Sequence, residues 1–176
     1  VIHTGHAFSG TPVDPTGRVA IRREWAVPDG TPLALTVARL SHEKGIELLI
    51  RAATIIQRRA SSVRFIVIGD GPLRSALWRQ IEAAGLTDMV QLVGFIPDVE
   101  RVLRAAALFV LPSLMEGMPN AVLEACDVGL PVVATSVGGL PEVIEHERTG
   151  VLVPPGDAGA LAEAVIGLIN DPGQRQ

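Results

Sequence analysis

The sequence predicts an α/β protein, a Rossmann-like doubly wound parallel sheet of about six strands. Apolar runs rich in β-branched residues recur along the chain without polar alternation, as strands covered on both faces do. Helical periodicity fills the gaps between these runs. The alternation is strict, one helix between successive strands, which makes neighbouring strands parallel.

Residues 1–30 read as a leading arm or interdomain linker. Their opening, "VIHTGHAFSGTPVDPTG", is loop-like and has no signal-peptide pattern. The chain starts on Val1 rather than a methionine, as expected of a piece of a longer polypeptide. Residues 31–170 form the expected domain. Its strands are Leu33–Ala38, Val63–Gly69, Val90–Gly94, Ala107–Pro112, Pro131–Ser136 and Gly150–Pro154. From Ile46 to Ala60, Leu48, Leu49, Ala52, Ala53, Ile55 and Ile56 share one helical stripe. Glu47, Arg51, Thr54 and Arg58 take the opposite face. Further helices are expected at Leu73–Ala84, Val99–Ala106, Pro119–Val128, Leu140–His146 and Asp157–Ile169. Residues 171–176 read as a frayed tail.

Composition removes several classes of function. The 176 residues are 48% hydrophobic and carry a net charge of −4, so no basic footprint points to nucleic acid. One cysteine rules out an internal disulfide framework and a cysteine-rich metal cluster, and a reducing, cytoplasmic setting follows as the plain expectation. The longest apolar run, Ala105–Pro112, falls far short of the ~20 residues that span a bilayer.

In open α/β sheets ligands bind beyond the carboxyl ends of the strands, so the loops after the strands carry the chemistry. After the first strand comes "ARLSHEKG". There Arg39 and Lys44 bracket a turn in which Ser41 suits a helix cap and Glu43 its first turn. Two cations beside a helix start make an anion site, and the alternative is a solvated loop with surface charges. "GDGPLR" after the second strand puts Arg74 where a dinucleotide fingerprint needs its third glycine. A tight turn with Pro72 at the first helical position is the better reading, which makes an NAD domain a poor fit. After the third strand, Gly94 allows close backbone approach, while Phe95 and Ile96 could wall an apolar slot for a flat base; ordinary loop packing is the alternative.

The densest constellation is "PSLMEGMPNAVLEACDVGLPVVATSVGG", Pro112–Gly139. Pro119 suits a first helical residue, and Gly129 with Pro131 stops the helix. Ala121, Val122, Ala125 and Cys126 face the core, while Asn120, Glu124 and Asp127 cluster on another side. Glu124 then stands at the rim of a cleft with Glu116 in the loop above. Amides from Met118 to Val122 point to the same place. Such a site suits a ligand with a phosphate and several hydroxyls, the amides holding the anion and the carboxylates accepting from hydroxyls. No further acid or histidine completes a metal shell at suitable spacing.

These motifs, followed by "GLPEVIEHERTGVLVPPGD", resemble the C-terminal, donor-binding half of the retaining family 4 (group 1) glycosyltransferases, from about Leu33 to Leu168 in order and spacing. The resemblance implies one half of a two-domain GT-B fold. It implies that Glu116 contacts the donor sugar and that Arg39 and Lys44 neutralise the donor diphosphate, these three forming the catalytic set. It assigns Glu124 to the ribose, and Gly117, Met118, Pro119, Asn120, Ala121 and Val122 to sugar and phosphates. Gly94, Phe95 and Ile96 lie near the base. Ala38 and Met118 depart from the usual glycine and the usual phenylalanine or leucine, and neither change removes a polar contact. The implied activity is hexosyl transfer from a nucleotide-sugar such as a UDP- or GDP-sugar, with retention. The donor is the substrate, and no metal or other cofactor is expected. The implied partner is a missing N-terminal domain that binds the acceptor and through which the protein could meet the inner face of the membrane. A GT-B nucleotide-sugar epimerase and a non-catalytic nucleotide-binding domain are the alternatives.

Overall fold

Six parallel strands form one sheet in the order β3-β2-β1-β4-β5-β6 in the computed structural model, which describes residues 15–59, 61–146 and 148–170. The strands are β1 (Leu33–Val37), β2 (Arg64–Ile68), β3 (Val90–Gly94), β4 (Leu108–Leu111), β5 (Val132–Thr135) and β6 (Gly150–Val153). Helices α2 (Ile46–Arg58), α3 (Arg74–Ala83), α4 (Val99–Leu103), α5 (Asn120–Asp127), α6 (Leu140–Val143) and α7 (Ala158–Asn170) make the crossovers and close the chain. The doubly wound α/β class read from the sequence is the class observed.

Burial on both faces explains the unbroken apolar runs. Alternate strand residues split between two cores because side chains in a strand alternate. Ala34, Phe65, Val67, Val110 and Val133 pack under α2, α3 and α7. Leu33, Leu35, Ile66, Phe109 and Val132 pack under the helices of the opposite face. Strand order reverses between β1 and β4, the two strands at the centre of the sheet. A crevice is expected at such a switch point, outside the carboxyl ends of the strands.

Part of the leading arm carries more structure than the sequence suggests. Helix α1 (Pro15–Glu24) is followed by a turn, and Ile21, Trp25 and Val27 are buried in the second core. Polar residues between its apolar positions hide a three-residue contact that only tertiary packing completes. Arg64 fastens this turn, donating from Nη2 to the Ala26 carbonyl at 3.0 Å. The start of the arm and the 171–176 tail lie outside the described residues.

Several helix boundaries move. Pro119 stands one residue ahead of α5 with φ −83° and ψ 76°, so it flanks the helix, while its carbonyl accepts from Val122. Pro72 likewise precedes α3, which begins at Arg74. Two helices end early. Helix α4 tightens into a turn at Arg104 so that the chain can enter β4, and α6 ends where Ile144 becomes extended. Among the described residues no helix is long and apolar enough to cross a membrane.

Candidate functional site

The loops after β1, β4 and β5 meet at the switch point, and glycines permit the contact. Gly45 holds φ +60°, and a Cβ there would stand 2.1 Å from the Pro112 carbonyl oxygen. Gly138 holds φ +54°, and its Cβ would stand 1.8 Å from the Glu116 carbonyl oxygen. Both positions need glycine twice over, for the left-handed backbone and for the space. The Glu43 carbonyl then accepts from the amides of Leu114 (2.8 Å) and Met115 (3.2 Å), joining the first loop to the second.

Side chains complete the join. Lys44 Nζ lies 2.8 Å from Glu116 Oε1, with the two side chains 25% and 5% exposed. Ser113 Oγ donates to the same oxygen at 2.6 Å. Ser113 is itself fully buried, and Thr135 at the end of β5 donates from Oγ1 to its carbonyl. Lys44 of the first loop and Ser113 of the second thus converge on one carboxylate, and Thr135 of β5 braces Ser113.

Arg39 is exposed near this centre and does not join the ion pair. It acts with Lys44 on Glu43. The Ser41 hydroxyl first, then the backbone amide of Glu43 and the charges of Arg39 and Lys44, hold the Glu43 carboxyl below its usual range against opposing desolvation. Ser41 therefore does not cap the next turn as expected: its Oγ donates to Glu43 Oε1 at 2.6 Å, and left-handed Gly45 stands at the start of α2. A short 3₁₀ turn, His42–Lys44, intervenes, and Gly45 takes the cap position of α2.

Helix α5 displays the expected faces. Val122 and Ala125 are buried, Ala121 and Cys126 are partly buried, and Asn120 and Asp127 are exposed. Glu124 is partly buried on the polar side. The amide cradle is narrower than the sequence suggests. Asn120 donates to the Met118 carbonyl and Val122 to the Pro119 carbonyl, because the chain tightens as the helix begins. Gly117 is exposed, Met118 is 62% exposed, and Pro119 is buried.

The loop after β3 is open. Gly94 takes φ +81° and accepts at its carbonyl from Gly69 at 2.8 Å, linking the loops after β2 and β3. Phe95 is 79% exposed while Ile96 packs against the core, so only one of the pair is a built wall. Arg74 donates from Nη2 to the Leu92 carbonyl at 3.0 Å, which gives the residue that broke the dinucleotide pattern a structural task.

Ser113, Thr135 and Gly138 belong to this centre but not to the site expected from the sequence. A polar residue at the carboxyl end of a buried strand is the signal that could have found Ser113 and Thr135. The doublet Gly138–Gly139 marks the loop but not what it packs against.

An ion-paired, largely buried carboxylate stands at the switch point of a doubly wound sheet, the place where α/β folds of this kind form their crevice. The chain belongs to the family "Glycosyl transferases group 1", whose pattern it matches over residues 18–176. It is 43% identical over 142 residues to the amylovoran biosynthesis glycosyltransferase AmsK of Erwinia amylovora, an overlap of 76% of this chain and 35% of AmsK. Its fold matches HepE of Anabaena in complex with UDP-glucose with a TM-score of 0.84 and 28% identity, over 96% of this chain and 47% of HepE. The C-terminal domain of the group 1 glycosyltransferase LpcC of Francisella tularensis matches with a TM-score of 0.80 and 25% identity, over 96% of this chain and 91% of that one. The chain spans 35–43% of the length of the curated relatives it matches.

Proposed function

We propose that this chain is the C-terminal, donor-binding domain of a retaining glycosyltransferase that moves a hexosyl group from a nucleotide-sugar to an acceptor. The observation that carries the reading is the Lys44–Glu116 pair at the β1/β4 switch point, 2.8 Å apart. One partner can meet a diphosphate and the other a sugar hydroxyl. A UDP-glucose complex of the similar HepE supports a uridine donor as the first probe.

In this reading Arg39 and Lys44 take the diphosphate, Glu116 the sugar, Glu124 the ribose and Gly94–Ile96 the base. Gly117–Val122 line the sugar and phosphates, with Gly117 and Met118 exposed at the loop tip. Negative charge grows on the diphosphate as the glycosidic bond to it breaks. Cations placed beside the bound diphosphate stabilise that charge more than they stabilise the ground state. Glu116 orients the sugar so that the reacting carbon meets the acceptor in a productive pose. No metal is assigned a role, since the cations at the loop can neutralise the leaving group. The acceptor is bound by an N-terminal domain outside this chain. A cytoplasmic location fits, with any contact to the membrane's inner face made through that domain.

Calorimetric titration of UDP-glucose, GDP-glucose and ADP-glucose tests donor binding. At least one should bind more tightly than its bare nucleoside, and binding of none would contradict the reading. The 176-residue chain alone should transfer no sugar at an appreciable rate, because nothing positions an acceptor or excludes water. Efficient transfer to an acceptor by this chain would contradict the division of labour.

A further inference from the structure

Glu116 receives two donors of different character on the same atom. Lys44 Nζ and Ser113 Oγ both meet Oε1, at 2.8 and 2.6 Å, and Oε2 takes neither. Lys44 is a quarter exposed and sits on a flexible stem, so an arriving diphosphate can draw it away. Ser113 cannot follow. It is fully buried two residues after the end of β4, its carbonyl is held by Thr135, and Gly138 presses against the Glu116 backbone.

A carboxylate that is only 5% exposed loses heavily if its partners leave and no water replaces them. Something must hold it while the cation serves the phosphates. We propose that Ser113 is the positioning residue that keeps the Glu116 carboxylate in register once Lys44 turns to the diphosphate, so that Oε2 stays available to a donor-sugar hydroxyl. Ser113 touches no substrate in this scheme and acts through Glu116. The inference rests on the functional reading above and adds to it the device that lets one ion pair serve two parts of the donor.

The test is a double-mutant cycle on this chain, with UDP and UDP-glucose titrated into the native protein, Ser113→Ala, Glu116→Gln and the double variant. The quantity read is the sugar increment, the ratio of the UDP-glucose to the UDP affinity. Ser113→Ala should reduce that increment on the order of tenfold, as loss of a hydrogen bond to a charged group does, while UDP binds as before. In the Glu116→Gln background the same substitution should change the increment no further. Should Ser113→Ala fail to fold, Ser113→Cys keeps a polar atom there but only a weak donor, and should lose the increment in the same way. An unchanged increment in Ser113→Ala, or an equal drop with and without Glu116, would overturn the role of Ser113 alone. A native chain that binds neither ligand would overturn the functional reading, and this inference with it.

Discussion

The switch point and the far end of β3 solve different problems with different materials. At the switch point the loops after β1, β4 and β5 are joined by backbone hydrogen bonds, an ion pair and glycine contacts too close for any side chain. At the end of β3 a glycine turn presents an aromatic ring that is 79% exposed. Charge recognition needs fixed geometry, because the strength of a charge-assisted contact depends on distance and alignment. A flat base asks only for a surface to stack on. The region whose loops are joined is thus the one assigned to phosphates and sugar, and the open one the base.

The comparison breaks first at the glycines. Gly138→Ala should cost upwards of about 2 kcal/mol in denaturant unfolding, since a left-handed alanine alone costs roughly 1–2 kcal/mol and its Cβ would stand 1.8 Å from a backbone oxygen. Gly85→Ala is the control: its φ is +65° with nothing within 4 Å of the added carbon. It should cost only the backbone penalty, about 1 kcal/mol. Equal losses would mean that the loops are not tightly joined.

Next come the cations. Lys44→Ala and Arg39→Ala should each weaken UDP by roughly ten- to a hundredfold, as loss of a charge-assisted contact predicts, while uridine binds nearly as before. Equal losses for both ligands would mean that the loop had simply come apart. The smallest effect belongs to the open region. Phe95→Ala should weaken uridine and UDP alike by about 1 kcal/mol, the low end of aromatic stacking on a base. Its melting temperature should not move, because the ring is almost wholly outside the core. A loss confined to UDP would remove Phe95 from the base site.

Local pattern made most of the fold legible. Strands such as Arg64–Ile68 are buried along their whole length, and α2 shows its apolar stripe without ambiguity. Helix α1 was not legible, because its contribution depends on Ile21, Trp25 and Val27 meeting a sheet face assembled from distant strands. The site divides in the same way. Glu116 and Lys44 announce themselves by residue type and loop position, yet the bond between them joins residues 72 apart. Ser113 is an ordinary serine after a strand until the fold brings a carboxylate to its hydroxyl. The capping role read for Ser41 failed for a related reason, since Glu43, two residues on, offered its hydroxyl a charged acceptor.

In the proposed donor site the two glutamates have separate duties, and one calorimetric experiment tests that division most directly. UDP and UDP-glucose are titrated into Glu116→Gln and Glu124→Gln. Glu124→Gln should weaken both ligands alike, because the ribose is common to both, whereas Glu116→Gln should spare UDP and weaken UDP-glucose. If Glu116→Gln weakens UDP as much as Glu124→Gln does, the division of the donor between the switch-point loop and helix α5 is wrong.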